Sequence, residues 1–275
     1  MPKVQQPPLL SSNVTLAVDL HAHTRFFHGL DRLAPAYDPL GARMLAGMAQ
    51  RRGLDAVATT NHDYYRDLSG GATGSSFIPG IEVTSSRGHI LLVGPSPPKL
   101  TESGALTPEQ VVDIAHDRNC AAIIAHPFRN STVREADADF DAVELNGKGS
   151  ESVGRVRRFA EERGLPVVGG SDAHFPIEVG RAYTAIDADE PTPEAIVNAI
   201  RNGQVDAHVD DTGVQRLFRK AYRVLHRQKG WLDDPQTTTP GVGVPPGEVE
   251  NRGGSLTVDE SSSGVVDTDH TGSAP

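Results

Sequence analysis

The chain has 275 residues, 37% of them hydrophobic, and a formal net charge of −10. That length holds one large domain or two small ones, with enough apolar material to bury a core. No apolar run approaches the roughly 20 residues of a membrane span, and the single cysteine, Cys120, excludes an intramolecular disulfide. Cys120 sits in the apolar run CAAIIAHP and reads as a buried, inert thiol. At the start of the chain, MPKVQQPPLLSSNVTLAVDL places prolines and polar residues where a secretory signal carries its apolar segment. The expected location is therefore cytoplasmic, with no membrane contact.

In chain order, residues 1–13 read as an N-terminal extension and 14–210 as the folded body. Strands are predicted at VTLAVDL (14–20), DAVATT (55–60), FIPGIEV (77–83), HILLVG (89–94), AAIIAH (121–126), DAVEL (141–145), PVVGG (166–170), AYTAI (182–186) and QVDAHV (204–209). Several are apolar throughout, as strands covered on both faces are. Helices between them carry start signals: Asp38-Pro39, Thr107-Pro108 and Thr192-Pro193 each set a capping residue before a proline. Thr107 also has Gln110 three residues on, a capping box. Gly53 in RRGL and Gly164 in ERGL read as left-handed helix stops. This alternation over about 200 residues predicts a parallel α/β architecture, a barrel or an open sheet.

Residues 211–232 read as a basic amphipathic helix. Val214, Leu217, Ala221 and Leu225 fall at helical spacing, with Arg216, Arg219, Lys220, Arg223 and Arg227 around them. Such a helix either packs on the body with a solvated face or contacts a nucleic-acid backbone. Residues 233–275 hold eight acidic side chains against Arg252, a net −7, so the rest of the chain carries only −3. Rich in Gly, Pro, Ser and Thr, this tail is expected to be disordered.

The 11 histidines are not scattered. His21 and His23 close the first strand in DLHAHT, on one face because residues i and i+2 of a strand share a side. His62 ends the second strand, Glu82 the third, His89 opens the fourth, His126 ends AAIIAHP, and Asp172 and His174 follow VVGGS. In α/β folds the carboxyl ends of parallel strands converge on one rim, so these residues would meet there. Imidazole and carboxylate without thiolate suit Zn, Mn or Fe. Eight or nine ligands exceed the needs of one ion, so two or three divalent ions are expected. His116, His208, His226 and His270 fall outside this pattern.

The series DLHAHT, TNHD, GIEV, AHP, ELNG and GSDAH, in that order over about residues 16–187, resembles the polymerase-and-histidinol-phosphatase (PHP) family of metal-dependent phosphoesterases. The resemblance implies a distorted seven-stranded β/α (TIM-like) barrel over residues 14–210 with a trinuclear site. Carried over residue by residue, it gives His21, His23, Glu82 and Asp172 to a first ion. It has Glu82 bridge to a second ion held also by His89 and His126, and gives His62 and His174 to a third, with His28 contributing. The chain departs from the family in reading FHG (27–29) where many members have an acid. It also has Asn61 in place of a common Asp, and only six residues separate Glu82 from His89.

Water shared between such ions would be acidified from a pKa of about 16 toward neutrality, and the hydroxide would attack phosphorus. Glu82, Asp172 and His174 are the residues expected at the chemistry, with His174 or Asp63 as proton shuttle. Arginine suits forked phosphate oxygens. Arg129, in the HPxR register of nucleotide-acting relatives, is thus the expected substrate contact, with Arg181, Lys148 and Arg25 behind it. Glu144 or Asn146 of ELNG would support the ligands or touch substrate. The expected partner is a small phosphorylated substrate of nucleotide type, and the alternatives are short RNA or DNA and histidinol phosphate. An amidohydrolase also begins with H-x-H but places a bridging lysine on a middle strand, and here no lysine falls in a predicted strand between His23 and His126, where Glu82 fills the bridging place. A non-catalytic PHP module would have lost ligands, whereas all nine positions here are ligand-capable. Oligomeric state is not readable.

Overall fold

The computed structural model describes residues 15–25, 34–68, 76–129, 131–148, 153–210 and residue 224. The extension 1–13, His28, the acidic tail and, Val224 apart, the basic segment 211–232 lie outside the described residues. The elements run β1 (Thr15–Ala22), α1 (Ala34–Arg52), β2 (Ala56–Thr59), β3 (Ser76–Ser85), β4 (Gly88–Val93), α2 (Pro108–Asp117), β5 (Ala121–Ile124), β6 (Ala142–Asn146), α3 (Val153–Arg163), β7 (Val167–Gly170), β8 (Ala182–Asp187), α4 (Pro193–Arg201) and β9 (Val205–Val209).

Every predicted strand forms. The Thr107 capping box and the Thr192 cap are made, and Gly53 and Gly164 stop α1 and α3 at φ +71 and +68. One start differs: α1 begins at Ala34, ahead of Asp38-Pro39. Pro35 then falls in the first turn, where N–H groups have no intrahelical partner.

All nine strands join one sheet in the order β7-β6-β5-β4-β3-β2-β1-β8-β9, so the count is nine rather than seven. Nor is the sheet all parallel. β4 runs against β3 and β5, and β8 against β1 and β9. The cause at β3–β4 is length: Ser85 pairs with Gly88 across a two-residue turn, whereas a parallel return needs a dozen residues or more. The two extra strands fill the wall between β1 and β7. Thr184 Oγ1 of β8 accepts from Gly169 N at 2.8 Å and donates to Gly169 O at 3.0 Å. The segment after β7 then lies along β1, with Asp172 N donating to His21 O at 2.7 Å and His23 N to Ala173 O at 3.0 Å. The barrel is thus nearly closed.

Alternate residues of each strand face its interior: Leu16, Val18 and Leu20 of β1, Ala56 and Ala58 of β2, Leu91 and Val93 of β4, Ala121 and Ile123 of β5. Ile196, Val197 and Ile200 of α4 join this cluster and plug the mouth where β1 begins. Outside, Ile81, Val83, Ile90 and Leu92 pack with Val111 and Ala115 of α2 and Val156 and Ala160 of α3.

Candidate metal centre

The plugged mouth leaves the opposite one for chemistry. In β1 the register against β2 shifts between Asp19 and Ala22. Leu20 belongs to the barrel interior, yet Ala22 packs outside with Leu45 and Val57. A bulge of this kind reverses the alternation, so His21 and His23 face inward where strict period two would turn them out. Glu82 shares its parity with Ile78 inside β3. His89 opens β4, but because β4 is antiparallel, its start lies beside the end of β3, opposite Thr84. The short Glu82–His89 spacing therefore brings both to one rim.

Glu82 is the hub. Its Oε2 lies 3.1 Å from His21 Nε2, 3.3 Å from His23 Nε2 and 3.1 Å from His62 Nδ1. Its Oε1 lies 2.6 Å from His89 Nδ1 and 3.1 Å from His126 Nε2. Asp172 Oδ1 stands 3.4 Å from His23 Nε2, 3.7 Å from His21 Nε2 and 3.2 Å from His174 Nδ1. Ligand atoms converge in three groups: His21, His23 and Asp172; His23, His62 and His174; His62, Glu82 and His89. Ring nitrogens also face one another, His23 Nε2 and His21 Nε2 at 3.2 Å and His89 Nδ1 and His126 Nε2 at 3.3 Å. Each such contact holds at most one proton, and a cation shared with Glu82 would satisfy it. Among the described residues, His89 Nε2 and His126 Nδ1 are buried without a hydrogen-bond partner, so those residues alone do not complete this cluster. The donor set fits divalent ions.

Electrostatics prepares the ligands. Burial drives His23 down to about 3 and His126 down to about 4, the latter aided by Arg129, and holds His62 well below the usual imidazole value. These rings are neutral, as ligation requires. Burial also opposes charge on His21, Glu82 and Asp172, but neighbours outweigh it. Glu144 and Glu82 hold His21 well above its ordinary value; His62, His21 and His89 hold Glu82 well below its own; Lys148 and Arg129 do the same for Asp172.

A surrounding layer fixes these groups. Glu144 Oε1 takes His21 Nδ1 at 2.8 Å, leaving Nε2 toward Glu82, and its Oε2 accepts from His126 N at 2.8 Å and Asn146 Nδ2 at 3.2 Å. Carboxylates of this type set the orientation and basicity of ligating histidines. An added Cβ at Gly170 would lie 2.5 Å from both Glu144 Oε1 and His21 Cβ, so this approach requires glycine. Asn61 Oδ1 accepts from Thr24 N at 2.9 Å and pins the end of β1 beside β2. His126, Asp172 and Asp63 all adopt positive φ, at +28, +53 and +59, a strain that surrounding contacts hold in place.

The structure brings together His21, His23, His62, Glu82, His89, His126, Asp172 and His174; His28 lies outside the described residues. Arg129 is buried, with Nη2 2.7 Å from Asp172 Oδ2. Lys148 Nζ lies 3.0 Å from Asp172 Oδ1 and 2.7 Å from His174 Nδ1. Arg181 is buried against Glu178 at 3.4 Å, behind the loop whose His174 N donates to Glu178 Oε2. Asp63 Oδ1 accepts from Thr84 N at 2.7 Å and Thr101 Oγ1 at 3.1 Å. Two carboxylates went unread. Asp19, pushed up to about 6 by burial, accepts from Ser171 N and Gly180 N and ties the last turn to β1. Its sequence signal is an acid within an apolar strand; Glu178 carries none beyond its nearness to His174.

A PHP-associated family model matches residues 151–205 of the chain, the part that supplies β7 and the Asp172–His174 turn. That match covers 55 of the 275 residues and points to the same family as the motif series. Its barrel is similar to PsfC from Pseudomonas syringae (TM-score 0.57, 18% identity, 78% of this chain and 99% of that one). It is similar also to a two-domain protein containing a predicted PHP-like metal-dependent phosphoesterase from Bacteroides vulgatus (0.51, 20%, 78% and 72%). A third likeness is to Endonuclease Q in complex with a DNA duplex bearing an abasic lesion (0.53, 22%, 69% and 57%). No curated protein matches the sequence. Among the described residues, no helix is long and apolar enough to cross a membrane.

Proposed function

We propose that this chain is a PHP-type metal-dependent phosphoesterase acting on a nucleotide or another small phosphorylated metabolite. The observation that carries the reading is Glu82, whose two oxygens face separate sets of imidazoles as a carboxylate shared between cations does. His21, His23, Asp172 and Glu82 would hold one ion, and Glu82, His89 and His126 a second. His62 and His174, beside His23, would hold a third. Bound Mn, Zn or Fe would acidify water and neutralise phosphate oxygens. The chain's own residues keep that arrangement fixed. Glu144 sets the His21 tautomer, Arg129 and Lys148 keep Asp172 ionised, and the buried walls lower the dielectric around the reacting group. His174, at 17% side-chain exposure, is the most open of the six rings, so substrate would meet it first.

A phosphodiesterase acting on nucleic acid is the second reading, favoured by the shared fold with Endonuclease Q. The test is chelator-stripped protein reloaded with Mn, Zn or Fe and screened on nucleoside mono- and bisphosphates, short oligonucleotides and histidinol phosphate, with elemental analysis alongside. Metal-dependent release of phosphate from nucleotides is expected. Cleavage of oligonucleotides alone would select the second reading, and no turnover with any metal would overturn both.

A further inference from the structure

An apolar groove of about 740 Å³ opens between α1 and the turn after His174, lined by Met48, Arg51, Arg52, Phe175, Pro176 and Ile177. Met44 and Leu40 continue the Met48 row along α1, since residues four apart share a helix face. Six large hydrophobic side chains are exposed among the described residues. Four of them, Leu40, Met44, Phe175 and Ile177, belong to this face, at 51%, 43%, 42% and 58%. Apolar surface concentrated in this way marks a place that something covers. The floor is firm, because Leu45 and Ala49 of α1 pack with Ala173 and Val179 from the two ends of the turn.

We infer that residues 213–228 of this chain cover the groove, docked along α1 as an amphipathic helix. Position selects this occupant first. Asp210, the last residue of the body, is held at one end of the groove. Its N donates to Arg181 O at 2.8 Å, and its Oδ2 lies 3.3 Å from Nη1 of Arg52, itself part of the lining. Val214, four residues on, is therefore within about 14 Å of that end.

Pattern and length select it again. At helical periodicity Val214, Leu217, Phe218, Ala221, Tyr222 and Leu225 fall on one half of the helix surface. Arg216, Arg219, Lys220, Arg223 and Arg227 fall on the other. From Val214 to Leu225 the apolar stripe is about 17 Å long at 1.5 Å per residue, and Leu40 to Arg51 of α1 measures the same. Val224, on the border of the apolar half, is helical and 57% exposed, as the edge of a docked face is. The charged half turns to solvent, away from Arg51 and Arg52, so like charges do not meet. A helix of this length is marginal in water by itself and needs such a surface.

The test is limited trypsin digestion of the full chain, with cleavage sites and rates read by mass spectrometry. Wild type is compared with a groove variant, Met44→Asp with Ile177→Asp, and a segment variant, Leu217→Asp. The five basic residues of the charged half are the reporters, and Arg252 in the acidic tail is the internal control. Cleavage follows the population of the released segment, so wild type should be cut at the five sites at least about 10-fold more slowly than either variant, with the rate at Arg252 unchanged. Groove and segment substitutions combined should release the segment no further than either set alone, as partners in one contact do. Met44 and Ile177 are exposed, so Tm of the body should hold. A wild-type segment cut as fast as in Leu217→Asp would overturn the inference. So would release by Leu217→Asp without release by the groove variant, which would put the helix elsewhere. Protection that grows with protein concentration would assign the groove to a second copy and overturn it equally.

Discussion

The two mouths of the barrel are built from the same strands and differ in almost every other respect. At the amino-terminal mouth, Leu16, Val18, Ile186, Ile196 and Ile200 interlock in one apolar cluster with α4. At the carboxyl mouth, six imidazoles and four carboxylates (Asp19, Glu82, Glu144, Asp172) lie within 17% side-chain exposure or less, and non-glycine residues sit at positive φ. Burial of this kind costs stability unless each group is paired, and the apolar end offsets it. One end of the barrel holds it shut while the other stores unfavourable charge for use.

The largest expected effect breaks the carboxyl mouth alone. Glu82→Gln should lower activity by at least about 10³-fold and remove bound metal, since the amide cannot bridge two cations; full metal stoichiometry by elemental analysis would rule out the shared-carboxylate role. Its counterpart at the other mouth is Ile200→Ala, fully buried in α4. That change should cost about 2–5 kcal/mol by chemical denaturation while leaving metal content per folded molecule intact, and joint loss of both would deny that the ends are separable. Glu144→Gln should lower metal affinity or activity by roughly 10- to 100-fold, visible in a metal titration.

The pH dependence of the metal-free protein sharpens the comparison further. His23 and His126, at about 3 and about 4 in the folded chain, stay neutral while the unfolded chain takes up protons below about 6.5. The unfolded state then binds more protons, so stability falls as pH drops from about 6.5 to about 4. His21, raised, works in the opposite sense: its contribution is fully present below about 6.5 and lost as pH rises through its folded value. Two depressed rings, joined by His62, outweigh it, and Tm in chelator should fall between pH 7 and pH 5. A flat profile would show that His21 and the raised carboxyl of Asp19 balance them, and a rise that these two prevail. Smallest of all, Arg52→Ala removes a part-exposed pair with Asp210 at 3.3 Å and should shift stability by less than about 1 kcal/mol.

Much of this was legible from residues alone. Every strand was, because apolar runs bounded by caps and glycines are local signals, and so was the gathering of His62, Glu82, His126 and Asp172, because strand ends share a rim. The inward turn of His21 and His23 was read for an incomplete reason. Period two puts them on one face, but only the bulge at Asp19–Ala22 makes it the interior. Type and register mark Arg129 as a cation near the site, and only the fold shows that its Nη2 lies 2.7 Å from Asp172 Oδ2.

By itself, then, the sequence determined the elements and the chemistry of the donor set, because both are written in residue type and short-range spacing. Tertiary structure decided which way the strands run, how the nine of them nearly close, and which oxygen of Glu82 faces which ring. Those depend on turn lengths and on pairings between residues as far apart as His21 and Glu144, which no local pattern encodes.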